Sequence, residues 1–456
     1  MASKSKLASK RATKRSNKDN IYLVAIPLLA FVIKLITLAN IPGRGWLGSD
    51  GESWLLGVDG LLKQGYFSDA TVLSYMPAGY PILIWLLAKT SVVHAVLLLS
   101  LVQSAFYAFA SFYFVKQLHD TRLRPYIFLI GVAIAFNPTL SLSTLVVGYE
   151  SLLSSCTLMT AGIIIKSKQF EYSHRLVFCI LGVGAFSALA SFIQPRWVLT
   201  SMVIAIVWAL MYQSRKIQAT ILAGVIIVMS FAPAILIQRN IQSTGKAVIS
   251  TNLGITMRLG AGDEASGGYS NTGPVVPCDP IAPATVASDS DLVKCVIKWY
   301  AGHPVKAVHL FINKGFFFWS PWSGPLAEGT MARNPWLKVN PLTDIALGSQ
   351  QGNDLVNKAV GKTISFAWVI GCISLMFICF FWLRSMKGIS ANIAYLTLIP
   401  VVISWLVAMG TIGDHRFRIP TMPLSIFLQV MGYFALRHKL KTRSFAVILE
   451  PIAKAR

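Results

Sequence analysis

Charged residues are scarce in this sequence, and acidic residues are the scarcest among them. Only 13% of its 456 residues are charged, whereas a soluble domain has roughly 25%. The hydrophobic share is 54%, and apolar stretches of spanning length must be helical in lipid because every backbone group needs an internal partner. The composition excludes an ordinary soluble domain and predicts an all-α polytopic membrane protein.

The shortage of acids leaves a strong excess of positive charge. There are 18 Asp and Glu against 41 Lys and Arg, so the formal net charge is +23. Such a charge can indicate a nucleic-acid partner. Here, however, the basic residues form short clusters between apolar runs, as in cytoplasmic loops. We therefore expect membrane lipid, and no nucleic acid, as a partner. The clusters are residues 1–20, 116–124, 166–175, 213–216, 384–387 and 437–443.

Ten apolar stretches are long enough to predict about ten transmembrane helices. With ten spans, all six basic clusters fall on one side of the membrane, as the positive-inside rule requires. Residues 77–90 are apolar but too short, so we expect an interfacial or re-entrant helix there. The ten stretches are residues 21–41, 92–115, 126–146, 149–165, 175–194, 197–213, 217–237, 363–383, 390–411 and 417–436.

This topology divides the chain into parts and predicts the plasma membrane as its location, with both termini in the cytoplasm. The first apolar run is too long for a cleaved signal peptide, so we expect an uncleaved helix. The parts are a disordered basic tail (1–20), an N-terminal transmembrane module (21–238) with an external loop (42–76), a large extracytoplasmic cap (239–362), C-terminal transmembrane helices (363–437) and a second cytoplasmic tail (438–456).

Cysteines are few, and no C-x-x-C pair or neighbouring histidine suggests a metal site. Four of the six lie in apolar runs, where cysteine usually packs as a small hydrophobic residue. Cys278 and Cys295 lie in the long polar loop. A disulfide between them, if the loop is outside the cytoplasm, and two free thiols are the alternatives.

The topology also collects the chemically capable residues on the outer face. Arginine recognises phosphate through a planar fork of donors, and a carboxylate can act as a general base. The combination beside lipid suits the transfer of a sugar from a lipid phosphate to an acceptor. The charged candidates are Asp50, Glu52, Glu150, Arg196, His415, Arg416 and Arg418.

The stretch that contains Asp50 also predicts local structure. Apolar residues recur at near-helical spacing across residues 51–65, which predicts an amphipathic helix. Pro77 and Pro81 restrict the backbone of the stretch that follows, and Gly79 permits another backbone to approach closely. This rigid segment is expected to shape a wall of the site.

Five motifs in order resemble those of the GT-C glycosyltransferases, the polytopic enzymes that use polyprenyl-phosphate sugars and include protein mannosyltransferases and aminoarabinose transferases. Met76 stands where the family has the first proline of a pair, and the order Pro195-Arg196 reverses the family's Arg-Pro. The motifs are "SDGESWLLGVDGLLKQGYFS…SYMPAGYP", "LSTLVVGYESLLSSCTLM", "SFIQPRWVL", "STNLGITMRLGAGDEASGGY" and "DHRFRIPTMPLSIFLQVMGY".

The resemblance implies an inverting transferase with Asp50 and Glu150 as catalytic residues. Asp50 would deprotonate or align the acceptor, and Glu150 would orient the donor, support Asp50 or bind a divalent cation. Arg416, Arg418 and Arg196 would hold the lipid phosphate. His415, Glu52 and Tyr80 complete the predicted substrate-binding residues.

The donor is expected to be a polyprenyl-phosphate sugar, and the acceptor a lipid, a glycan or a protein. A divalent cation, Mg²⁺ or Mn²⁺, is an open alternative, because the first loop has no Asp-x-Asp motif.

Two other functions stay open at this point. A transporter or flippase would carry charges near the middle of the bilayer and would have paired halves with interrupted helices. A non-catalytic subunit of an envelope-assembly complex would tolerate the loss of Asp50 and Glu150.

Overall fold

The structure is a computed structural model that describes most of the chain. It describes residues 2–41, 50–168, 170, 174–268, 276, 278, 288–319, 359–386 and 388–442. Every regular element within these ranges is helical, apart from isolated bridge residues, of which Gly268 and Gly413 pair with each other. The predicted all-α class is therefore confirmed.

Seventeen α-helices are found in the described residues. They are α1 (Ala2–Ala39), α2 (Gly51–Gln64), α3 (Val72–Tyr75), α4 (Gly79–Ala88), α5 (Ala95–His119), α6 (Ile127–Ala135), α7 (Pro138–Ser143), α8 (Glu150–Ser167), α9 (His174–Ile193), α10 (Trp197–Leu210), α11 (Arg215–Thr244), α12 (Leu253–Leu259), α13 (Asp289–Gly302), α14 (Pro304–Trp319), α15 (Ala359–Ser385), α16 (Gly388–Gly410) and α17 (Met422–Thr442). Two 3₁₀ segments, Arg124–Tyr126 and His415–Thr421, precede α6 and α17.

Seven helices in the described part of the chain are long and apolar enough to cross a membrane, so the protein has the features of a polytopic membrane protein. They are α1 from Ile21, α5, α9, α11, α15 from Phe366, α16, and α17 with its preceding 3₁₀ turn.

Three of the ten predicted spans do not meet that test. The stretch 126–146 is broken because Asn137 caps a new helix and Pro138 occupies its first position, which ends α6 at Ala135. The stretch 197–213 forms only the 14 residues of α10. The stretch 149–165 forms α8, in which every residue except Lys166 is buried inside the protein.

The N-terminal basic tail differs from the prediction of disorder. α1 continues through it to Ala2 as one helix. Its alanines, lysines and arginines are strong helix formers, and the apolar half of the same helix removes the cost of nucleation.

The helix α8 is the centre of the bundle. It contacts α5, α9 and the 3₁₀ segment 415–421. Ser154 on α8 donates a hydrogen bond to the carbonyl oxygen of Ile419 at 2.6 Å, and Ser404 on α16 donates to that of Phe417 at 3.2 Å. These bonds fix the segment that carries Arg416 against two helices of the bundle.

The predicted cap contains the helices α12, α13 and α14, which pack around a small apolar core of their own. Cys278 and Cys295 form a disulfide that joins the loop before α13 to α13 itself. The backbone N–H of Gly413 donates to the carbonyl oxygen of Gly267 at 2.9 Å. The cap is thereby attached to the loop that leads to Arg416.

A buried arginine joins two loops near the cap. Arg239 on α11 is fully buried and donates to three backbone carbonyl groups of residues 66–73. The side-chain amide of Asn240 donates to the carbonyl oxygens of Val248 and Ile249 at 2.8 and 3.1 Å. The pair holds the loop after α2 and the segment after α11 in fixed relation.

The Pro-Ala-Gly-Tyr-Pro segment allows two backbones to meet, as the sequence predicts. A Cβ atom on Gly79 would lie 1.8 Å from the carbonyl oxygen of Phe192 in α9. No side chain fits at that distance, so α4 reaches α9 only because residue 79 is glycine.

We expect Gly79→Ala to lower the free energy of unfolding by at least about 1–3 kcal/mol, because an overpacked contact forces backbone shifts. The measurement is the unfolding midpoint of the purified protein in detergent. Gly371→Ala is the matched control, since a Cβ there would meet nothing within 4 Å. Equal midpoints for the two variants would contradict the close approach.

Candidate functional site

One arginine bridges the two carboxylates that the sequence analysis placed first. Arg416 Nη1 donates to Asp50 Oδ2 at 2.6 Å, and Arg416 Nε donates to Glu150 Oε1. The side chains are 12%, 21% and 10% exposed for Arg416, Asp50 and Glu150. The ion pairs are therefore largely removed from water, where they are much less screened than on a surface.

Local structure aims each of these side chains inward. Asp50 precedes the first residue of α2, yet its carboxylate makes no capping hydrogen bond to that helix and reaches Arg416 instead. Glu150 is the first residue of α8, where the helix dipole favours a negative charge. Asp414 accepts a hydrogen bond from the backbone N–H of Arg416 at 2.9 Å and so starts the 3₁₀ turn.

Tyr149 is the residue of this site that sequence reasoning missed. Its hydroxyl oxygen accepts hydrogen bonds from Arg196 Nη2 at 2.8 Å and Gln194 Nε2 at 2.9 Å, and a longer one from Arg416 Nη2 at 3.4 Å. The only sequence signal is its position directly before Glu150. Its hydroxyl brings the guanidinium groups of Arg196 and Arg416 to one point.

Arg196 is held from two sides. Besides its bond to Tyr149, its guanidinium lies over the ring of Phe417 at 3.9 Å from the ring centroid. This stacking fixes the plane of the guanidinium. The order Pro195-Arg196, which is reversed relative to the family motif, still brings the arginine beside Glu150 and Arg416.

A cavity of about 430 Å³ opens at this cluster. Its volume lies within the roughly 300–1,000 Å³ that is typical of small-molecule sites. Asp50, Tyr149, Arg196 and Arg416 line one part of it. The segments 75–77, 249–259 and 411–417, together with Trp54 and Asp289, line most of the rest.

A narrower cleft of about 30 Å³ continues from the arginines between α10 and α16. Glu150, Arg196 and Arg416 lie at its polar end. The apolar side chains of Leu153, Trp197, Val407, Ala408 and Pro420 line most of the remainder, together with the hydroxyl groups of Thr200 and Ser404. The lining of the cleft therefore changes from charged at the arginines to mainly apolar away from them.

Arg418 and His415 are turned away from the cavity. Arg418 Nη1 donates to the carbonyl oxygen of Trp319 at 2.8 Å, and its side chain is buried. His415 is also buried, with Nδ1 at 3.2 Å from Asp414 Oδ1. A 3₁₀ helix has three residues per turn, so residues 416 and 418 cannot face the same direction.

The two other predicted substrate-binding residues also lie outside the cavity lining. Glu52 is exposed on α2. Tyr80 is fully buried behind the site, with its ring edge-to-face against Trp54 and Tyr149 at centroid distances of 5.5 and 6.2 Å. Tyr80 therefore supports the wall of the cavity, and the function proposed below does not depend on it or on Glu52, His415 and Arg418.

A buried lysine connects the cap to the cavity wall. Lys314 on α14 is fully buried, and its Nζ donates to the hydroxyl of Tyr300 and to the carbonyl oxygen of Thr411, both at 2.7 Å. Thr411 lines the cavity. Burial lowers the pKa of Lys314 from 10.5 to about 7.

The described residues contain no group of three or more His, Cys, Asp and Glu that could hold a metal ion. Asp50 and Glu150 already share the positive charge of Arg416. The divalent cation stays a prediction.

Comparison with models of known protein families, with curated proteins and with solved structures found no match to this chain. The resemblance to the GT-C glycosyltransferases stays a prediction from the five motifs.

We expect the stability of the protein to rise with pH between about 7 and 10.5 through Lys314. The folded-state pKa lies below 10.5, so in this window the unfolded chain binds more protons than the folded one. The slope from this group is at most about 1.4 kcal/mol per pH unit. The measurement compares unfolding midpoints across the window for wild type and Lys314→Met.

Lys314→Met is expected to flatten this rise. Lys306→Met on the same helix, where the lysine is only half-buried, is expected to leave it in place. The same pH dependence in wild type and Lys314→Met would show that Lys314 is charged throughout.

Proposed function

We propose that this protein is a membrane glycosyltransferase that moves a sugar from a polyprenyl-phosphate donor to an acceptor, with inversion at the anomeric carbon. The observation that carries the proposal is the meeting of Asp50, Glu150, Arg196 and Arg416 at a cavity with an apolar extension. The proposal includes a GT-C-like fold with about ten spans and a site on the outer face of the plasma membrane.

The lipid phosphate of the donor fits between the two arginines. Arg196 and Arg416 both contact the Tyr149 hydroxyl, so a phosphate placed there meets two guanidinium groups at once. The polyprenyl chain would leave past the apolar residues between α10 and α16, where the cleft of about 30 Å³ must widen to admit it. Arg418 takes no part, because its guanidinium is bound to Trp319.

The sugar of the donor and the acceptor hydroxyl would occupy the larger cavity. Asp50 takes the proton of the acceptor hydroxyl, and the freed oxygen forms a bond to the anomeric carbon. The bond from that carbon to the phosphate oxygen breaks, and the phosphate leaves with the electron pair. The arginines stabilise the charge that develops on the leaving phosphate.

Glu150 is proposed as the residue that orients Arg416. Its bond to Nε leaves the outer nitrogens of the guanidinium for Asp50, Tyr149 and the phosphate. The hydrogen bonds from Arg416 to Glu150 and to Asp50 restrict the rotation of the guanidinium, which preorganises the site.

We expect Asp50→Asn to reduce sugar transfer by at least about 10²-fold, the lower range for the loss of a general base. The assay measures sugar release from a panel of polyprenyl-phosphate sugars by the purified protein in nanodiscs. Asp59→Asn in α2 is the control, because that carboxylate is exposed and pairs with Lys63 at 2.7 Å.

Near-normal turnover in a folded Asp50→Asn variant would remove Asp50 from the mechanism. Absence of release from every donor, with lipid phosphates also failing to bind, would favour a transporter or an assembly subunit.

A further inference from the structure

The part of the cavity that faces the cap differs in character from the part that faces the arginines. Ser250, Asn252 and Thr256 line it, together with Asp289 at the start of α13. These residues offer hydroxyl, amide and carboxylate groups. The described cap residues that line the cavity include no Lys or Arg.

The cap side carries the carboxylate of Asp289, and no Lys or Arg among the described residues forms an ion pair with it. Asp289 is the one ionisable residue that the described cap contributes to the lining. The cavity therefore has Arg196 and Arg416, together with the carboxylates of Asp50 and Asp414, on one side and the carboxylate of Asp289 on the other.

The side chain of Asp289 is held in place by a hydrogen bond to the backbone of α12. Its Oδ1 accepts a hydrogen bond from the backbone N–H of Gly254 at 2.7 Å, near the first turn of α12. A carboxylate has about four lone-pair positions, so this bond leaves acceptor capacity for a ligand. Burial raises the pKa of Asp289, and the N–H groups of Gly254 and Leu253 oppose that rise.

The neighbouring amide is available as a donor. Asn252 is linked to Thr256 through its backbone carbonyl, and its side-chain oxygen accepts a long hydrogen bond from Ser250. Its side-chain nitrogen makes no hydrogen bond to any residue that the structure describes. The aromatic residues Trp54 and Tyr75 also line the cavity.

Hydrogen-bond donors and acceptors, aromatic rings and a single negative charge suit one class of ligand. A sugar ring presents hydroxyl groups as donors and acceptors and has an apolar face. A sugar with a carboxylate would meet Asp289 as a like charge, which is unfavourable.

We propose that the cap side of the cavity is a sugar-binding subsite that accepts neutral and amino sugars and rejects acidic ones, with Asp289 as the selecting residue. The inference rests on the proposed function in one respect: it takes the lipid phosphate to bind at the arginines, on the other side of the cavity. The bound ring is either the sugar of the donor or a sugar of the acceptor.

The test uses the full-length protein in nanodiscs and three soluble probes, the methyl glycosides of glucose, glucosamine and glucuronic acid. Their affinities are measured by saturation-transfer NMR. We expect the glucuronide to bind at least about tenfold more weakly than the glucoside, because of the like-charge contact.

Asp289→Asn removes the charge and keeps an oxygen that can accept from Gly254. It is expected to bring the glucuronide within about threefold of the glucoside. Asp291→Asn is the matched control, an exposed acid two residues along the same helix, and should leave the ratio unchanged. The proposal is overturned if no glycoside binds, if the wild type does not discriminate, or if Asp289→Asn leaves the ratio as it was.

A second arm separates this proposal from the proposed function. A sugar-free polyprenyl phosphate should bind wild type and Asp289→Asn with equal affinity. If it binds neither protein, the proposed donor site is contradicted, whereas the proposed sugar subsite is unaffected. Competition between polyprenyl-phosphate-glucose and methyl glucoside would assign the subsite to the donor sugar. Simultaneous binding of the two would assign it to an acceptor sugar.

Discussion

A largely buried arginine between two carboxylates is the interaction on which the arrangement of this molecule depends. Arg416, Asp50 and Glu150 come from three parts of the chain that are far apart in sequence. Removal of one member of a buried ion pair leaves an uncompensated charge, at a cost of about 3–5 kcal/mol. The start of α2, the start of α8 and the turn before α17 are therefore held at one point, which is also where the cavity begins.

The cap completes the site through contacts with the same turn. Lys314 binds the carbonyl oxygen of Thr411, and Gly413 bonds to Gly267. Residues 411–417 thus contact the cap on one side and the helix bundle on the other. The cavity between them has Arg196 and Arg416 on one side and the carboxylate of Asp289 on the other. In the proposed function this arrangement gives a substrate a preferred direction.

The charge pattern of the sequence was enough to predict that Asp50, Glu150, Arg196 and Arg416 share one membrane face, because the predicted topology puts the basic clusters on the other face. The structure brings the four residues together. The charge pattern could not predict that Arg416 lines the cavity whereas Arg418 does not, since the direction of each side chain depends on a 3₁₀ turn that the sequence pattern does not reveal. Tyr149 is neutral and gave no charge signal. Asp289 lies in a polar stretch whose position over the cavity depends on long-range packing of the cap. The break at Asn137 turned one predicted span into two short helices.

The most direct test of this account is a double-mutant cycle on Arg416 and Asp50, with Arg416→Gln, Asp50→Asn and the combined variant. The free energy of unfolding is measured by equilibrium denaturation in mixed detergent micelles. If the buried ion pair holds the segments together, the double variant will lose less stability than the sum of the single variants, by about 1–3 kcal/mol. Additivity within about 0.5 kcal/mol would contradict the account, because uncoupled residues share no interaction.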